Sequence, residues 1–313
     1  QCQPDSLLSR YIDAIYEPFW KRELDVEQLQ VIEGVLIQIG ADVTSFRDYA
    51  LGVGGDFNAE FQEAAFAAGV YGVPTYIVAD TDGVSTHRYF GREHLPRIAW
   101  HLAGTQDQAP DVAYEGVAGA QRLGPIAKRL AVCVDFKSPA AYLAVQPTID
   151  MARGIGVQLE WQIIATPALR EPTEPDSNTD RGALHKAIRG RYLAEDLQRY
   201  APHALVNLYD TQRSDLAATG LLWVIDQHAD ADAYMRAVFA RYWRQHEGID
   251  TAMDIAEVLA ALGIEVVGFA AFAEGLGKAR AEAMREEIAA QGVSSSPTLS
   301  LIHISEPTRL AEI

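Results

Sequence analysis

The chain has 313 residues, 49% of them hydrophobic, and a formal net charge of −17 from 26 Lys and Arg against 43 Asp and Glu. That length suits two globular units, and the apolar content argues against disorder. The acidic balance, without a basic stripe, excludes a nucleic-acid partner. No apolar run approaches the roughly 20 residues of a membrane span, so no membrane is expected. The N-terminal QCQPDSLLSRY shows no secretory pattern. The expected location is cytoplasmic, although without an initiator Met a preceding segment could have carried a signal. Cys2 and Cys133 form no C-x-x-C, so neither a disulfide framework nor a Cys-rich metal site is available within the chain, and no metal is expected. Cys133, inside an apolar run, reads as a buried small hydrophobe.

In chain order the first feature is a repeat. Tyr11 to Thr75 aligns without a gap with Tyr234 to Thr298: Trp20 meets Trp243, Leu36 meets Leu259, Gly40 meets Gly263, Phe46 meets Phe269, and Pro74-Thr75 meets Pro297-Thr298. Apolar residues at three- and four-residue spacing make WKRELDVEQLQVIEGVLIQIG and YWRQHEGIDTAMDIAEVLAALG helical, each stopping at a Gly. A further helix leads into each Gly-Val.

After the first copy the pattern predicts a strand from Thr75 to Ala79, a DTDG turn, a strand ending near Phe90 and a helix from about Glu93 to Leu102. Thr105 to Pro125, rich in Gly, Ala, Gln and Asp, reads as a linker. A βαβ unit follows: strand 130–136, a helix from Pro139 to Arg153 stopped at Gly154-Ile155-Gly156, and strand 157–164, which favours a parallel pair.

Ser138 precedes a Pro suited to the first helical position and is a natural N-cap, with its hydroxyl beside the positive end of the helix dipole. Capping alone is one reading of it. Stabilising an anion there is the other.

A βαβ unit, a helical insertion, an X-Pro before a hairpin and a closing helix together resemble the DsbA-type thioredoxin fold, over nearly the whole chain up to Thr298. VDFKSPAAYLA (134–144) is similar to the first turn of kappa-class glutathione transferases and 2-hydroxychromene-2-carboxylate isomerases, and GVYGVPT (69–75) to the family's second motif. The fold class expected is α/β, thioredoxin-like with a DsbA-type helical insertion, in two tandem modules, both incomplete. Residues 1–104 would be the C-terminal part of the first module, 105–125 the linker, and 126–298 the second module lacking its last hairpin and helix. Leu299 to Arg309 resembles the translation of a sequencing-library adapter, so 299–313 is expected to carry no function.

The resemblance implies glutathione as cofactor and a small aromatic or electrophilic compound as substrate of an isomerase or transferase; a homo-oligomer is compatible with it. Ser138 would donate to the bound thiolate, which from one charge-assisted hydrogen bond and the dipole lowers a thiol pKa by about one to three units. Pro139 would open the helix. Ser296-Pro297 and Val73-Pro74 would be cis and pair with the ligand's peptide. Phe90-Gly91-Arg92-Glu93-His94 matches a turn that binds the glutamyl end of glutathione, with Glu93 and His94 departing from its Asp and Arg. Helix capping is the alternative for Glu93. A protein disulfide oxidoreductase would need a C-P-x-C, where this chain has Ser138-Pro139-Ala140-Ala141. A non-catalytic, degenerate binding module is the third reading. Ser138 falls in the second module and Val73, Pro74 and Gly91 in the first, so they are not expected to share a pocket.

Overall fold

The computed structural model describes residues 5–79, 86–104, 109, 129–173, 180–210 and 214–302. The DTDG turn, nearly all of the expected linker and residues 303–313 lie outside them. Two compact units divide the chain, Gln1–Tyr71 and Gly72–Ile313. No helix among the described residues is long and apolar enough to cross a membrane, and none of their His, Cys, Asp and Glu form a metal-binding cluster.

The first unit is helical: α1 Asp5–Trp20, α2 Leu29–Gln38, α3 Phe46–Leu51 and α4 Val53–Ala67. The stretch expected to be helical from Trp20 to Gly40 is broken, because α1 ends at Trp20 and α2 begins only at Leu29. Gly40 does stop α2, in the left-handed region at φ 81, where a side chain would be strained. The apolar stripe of α1, with Leu8, Ile12, Tyr16 and Trp20 at four-residue spacing, is exposed.

The second unit opens with a hairpin of β1 (Thr75–Ala79) and β2 (Thr86–Phe90), a 3-10 turn at Arg92–His94, and α5 (Leu95–Ala103). Then come β3 (Arg129–Val134), α6 (Pro139–Ile155) and β4 (Gln158–Ile163), with α7 (Arg181–Tyr200), α8 (Asp215–Asp226), α9 (Ala231–Trp243), α10 (Ala252–Ala261), α11 (Phe269–Glu274), α12 (Leu276–Ala290) and β5 (Thr298–Ile302). β3 is the central strand, parallel to β4 as expected and antiparallel to β5. Leu130 to Val134 are buried throughout, as a strand covered on both faces requires.

α6 packs Ala141, Val145, Ile149 and Ala152 inward and ends at Gly156, φ 77. Helices α7 to α12 form an insertion between β4 and β5. Tyr234 donates to the Ala217 carbonyl at 2.8 Å across Gly220, where a Cβ would collide with the tyrosine hydroxyl. Thr251 and Asp254 form a capping box at the start of α10, so the second stretch expected to be helical is also broken, between Trp243 and Ala252.

The stretches matched by the repeat share element bounds at the offset that carries Tyr11 to Tyr234: α2 with α10, α3 with α11, α4 with α12, and β1 with β5. The shared bounds run through Ile302. Burial differs between the copies. Trp20 is 74% exposed and Trp243 is 0% exposed, the latter stacked on Tyr142 of α6 with ring centroids 5.9 Å apart.

Residues 72–104 cluster with the βαβ unit and its insertion. The physical reason is α7. Tyr192 hydroxyl meets the Phe90 N–H at 2.7 Å, Arg199 donates to the Arg88 carbonyl at 2.7 Å, and Arg97 donates to the Arg199 carbonyl at 3.0 Å. Arg199 also lies over the Tyr89 ring and Arg97 over Tyr200. The buried His94 imidazole sits 2.7 Å from the Tyr200 hydroxyl, and burial with nearby Asp196 pushes that phenol up to about 12. Burial likewise raises the Asp196 carboxyl, against the pull of His94 and Arg199.

Candidate functional site

Ser138 stands at the end of the turn that follows β3, at the N-cap of α6, with extended backbone angles (φ −82, ψ 116) and Pro139 buried at the first helical position. The residue is 8% exposed. The hydroxyl oxygen accepts from the Ala141 N–H at 3.3 Å, which satisfies one of the helix's orphan donors, and its proton goes to the Ser296 carbonyl at 3.0 Å. Ser296 returns a second tie, because its own hydroxyl accepts from the Asp135 N–H at 2.8 Å. The Ser296-Pro297 peptide is cis, as is Val73-Pro74. The structure thus brings Ser138, Pro139, Ser296 and Pro297 together.

The turn is held from several sides by residues the sequence reading missed. The buried Asp135 carboxylate accepts from Ser214 Oγ at 2.9 Å, from the Thr166 N–H at 2.8 Å and Oγ1 at 3.1 Å, and from the Lys137 N–H at 3.1 Å. These bonds compensate its desolvation. Trp243 Nε1 donates to the Phe136 carbonyl at 3.0 Å.

The Lys137 side chain is only 5% exposed. Its ammonium donates to Asp210 at 3.3 Å and to Asp250 Oδ2 at 3.2 Å, lies 3.0 Å from Asp250 Oδ1, and sits 5.1 Å from the Tyr242 ring centre. Tyr242 in turn donates to Asp210 at 2.5 Å, and burial together with that carboxylate pushes its phenol far up. Asp210 and Asp250 lie on two different loops of the insertion, so Lys137 ties both to the Ser138 turn. Asp250 also lines a cavity of about 460 Å³ bounded by α8, α11 and α12.

Val73, Pro74, Gly91 and Glu93 form a second group. The Gly91 N–H donates to the Pro74 carbonyl at 3.1 Å, Val73 is 86% exposed, and Gly91 has φ 109. The Glu93 carboxylate folds back over Gly91. The N-cap residues of the 3-10 turn and of α5, Gly91 and His94, make no side-chain capping hydrogen bond. Cys133 is buried in β3, its thiol 3.3 Å from Gln162 Oε1, and burial raises its pKa.

A model of the DSBA-like thioredoxin domain matches residues 129–294, more than half of the chain. The chain belongs to the DsbA-like thioredoxin family. No curated protein matches the sequence. Among solved structures, a 2-hydroxychromene-2-carboxylate isomerase is 23% identical, covering 56% of this chain and 85% of its own, with a TM-score of 0.43. The cytosolic disulfide reductase DsbM from Pseudomonas aeruginosa, solved with GSH, is 12% identical over 55% and 85%, TM-score 0.42. DsbA from Pseudomonas aeruginosa is 16% identical over 59% and 74%, TM-score 0.33. Within this DsbA-like domain the four positions of the first turn carry no sulfur, and the one cysteine of the matched region points into the core.

Proposed function

We propose that the Ser138 turn binds glutathione and stabilises its thiolate, for an isomerase or transferase reaction on a small aromatic or electrophilic compound. The observation that carries this reading is the hydroxyl itself. It is fixed by its capping bond, carries one rotatable proton, and faces the Ser296-Pro297 loop. A thiolate would receive a charge-assisted hydrogen bond of about 1.5–3 kcal/mol, and the Ser138 proton would leave a neutral one of about 0.5–1.5 kcal/mol. The difference amounts to about one pKa unit, the lower end of the range expected from sequence. The Asp250-lined cavity is the place proposed for the substrate. Val73, Pro74, Gly91 and Glu93, grouped around the hairpin, are proposed as a second ligand surface, and the chain as two modules of one kind.

The test is calorimetric titration with glutathione at neutral pH in two buffers of different ionisation enthalpy, which reports the protons released on binding. Proton release by the wild-type chain, greatly reduced in Ser138→Ala, is the expected result. Binding without proton release would favour a non-catalytic module, and absence of binding at millimolar glutathione would remove the proposal.

A further inference from the structure

We infer that Ser214, at the start of α8 in the helical insertion, is a positioning residue for the Ser138 hydroxyl and acts through Asp135. This role presupposes the reading of Ser138 as thiolate donor. Ser214 precedes Asp215, the first residue of α8, where a serine ordinarily accepts a hydrogen bond from a backbone N–H of the first helical turn. Here it makes no such bond. Ser214 is 5% exposed, and its hydroxyl donates instead to Asp135 Oδ1 at 2.9 Å.

Asp135 closes the turn with both its backbone and its side chain. Its carbonyl accepts from the Ser138 N–H at 3.0 Å, and its Oδ1 accepts from the Lys137 N–H at 3.1 Å. The atom that Ser214 holds is therefore the same one that shapes the turn. The other oxygen, Oδ2, is taken by the Thr166 N–H and hydroxyl, from the segment after β4. Ser214 thus sets the carboxylate against α8, and Thr166 sets it against the sheet. A buried carboxylate that loses one donor turns toward those that remain, here Thr166, and carries the Lys137 and Ser138 amides with it.

Ser214 makes no hydrogen bond to Ser138, whose hydroxyl is aimed by its bonds with the Ala141 N–H and the Ser296 carbonyl. Its influence has to pass through the backbone of the turn. A hydrogen bond weakens steeply as its angle departs from linear, so a shift of that backbone is read in the ionisation of a bound thiol.

The experiment compares Ser214→Ala with Asp230→Ala. The first removes a hydroxyl that caps nothing, and the second removes the bond from the Ala233 N–H that caps α9, elsewhere in the insertion. With glutathione at neutral pH and the chain in excess, the thiolate absorbance should fall about threefold in Ser214→Ala, equivalent to about half a pKa unit, and keep its wild-type value in Asp230→Ala. Without ligand, hydrogen exchange at the Lys137 and Ser138 amides should be about tenfold faster in Ser214→Ala, at unchanged far-ultraviolet circular dichroism. Wild-type absorbance in Ser214→Ala, an equal loss in both variants, or unchanged exchange at the two amides would overturn the positioning role while leaving Ser138 a thiolate donor. Glutathione that ionises no further on the wild-type chain than free in solution would overturn both.

Discussion

Replacing Lys137 by Met tests how the helical insertion is tied to the Ser138 turn. The substitution keeps most of the stem's volume but removes an ammonium that lies within 3.3 Å of both Asp210 and Asp250. Removing one partner of a fully buried pair costs about 3–5 kcal/mol, because the other charge is stranded. The two carboxylates keep 27% and 32% of their side-chain surface, so water recovers part of that loss. About 2–3 kcal/mol should remain, with the contact to the Tyr242 ring included. Urea unfolding of Lys137→Met should show this loss at an unchanged slope. The triple variant with Asp210→Asn and Asp250→Asn should recover at least half of it, since no charge is then left without a partner. A loss below about 0.5 kcal/mol, or a triple variant no more stable than the single one, would refute the assignment of Lys137 as a buried ionic tie.

Tyr192→Phe should destabilise the second unit by about 1–2 kcal/mol, the cost of leaving the Phe90 N–H without the tyrosine hydroxyl; hydrogen exchange at Phe90 should accelerate, and unchanged protection there would contradict the docking of the hairpin on α7. Cys133 should resist iodoacetamide in the native state and react on unfolding, since burial raises its thiol above the ordinary value. The linkage has a definite sign. Below about pH 8.5 the thiol is protonated in both states and contributes nothing; above it the unfolded chain ionises first, so this group lowers stability as pH rises toward the folded pKa. Rapid native labelling at pH 8 would refute the burial of Cys133.

Much of the βαβ unit was legible because each of its parts has a local cause. The apolar run 130–134 suits a strand covered on both faces, Ser138-Pro139 suits a helix start, and Gly156 suits a left-handed stop. The helix breaks after Trp20 and Trp243 were not, since the three- and four-residue apolar spacing runs on across the turn in both copies. Long-range polar ties leave no local trace either. Lys137 finds Asp210 and Asp250 only after the insertion folds back, and Tyr192 and Arg199 reach the hairpin from about a hundred residues away. For the same reason the unit boundary at Tyr71 was not visible in composition.

The account's central claim is that the Ser138 hydroxyl stabilises a bound thiolate, and the pH titration of thiolate absorbance for glutathione bound to the chain tests it most directly. Bound glutathione should titrate about one pKa unit below the free thiol, and Ser138→Ala should return it to the free value while costing about 1 kcal/mol of stability as a lost N-cap. Identical titration curves for wild type and Ser138→Ala, with only the stability changed, would contradict the claim and leave Ser138 as a helix cap.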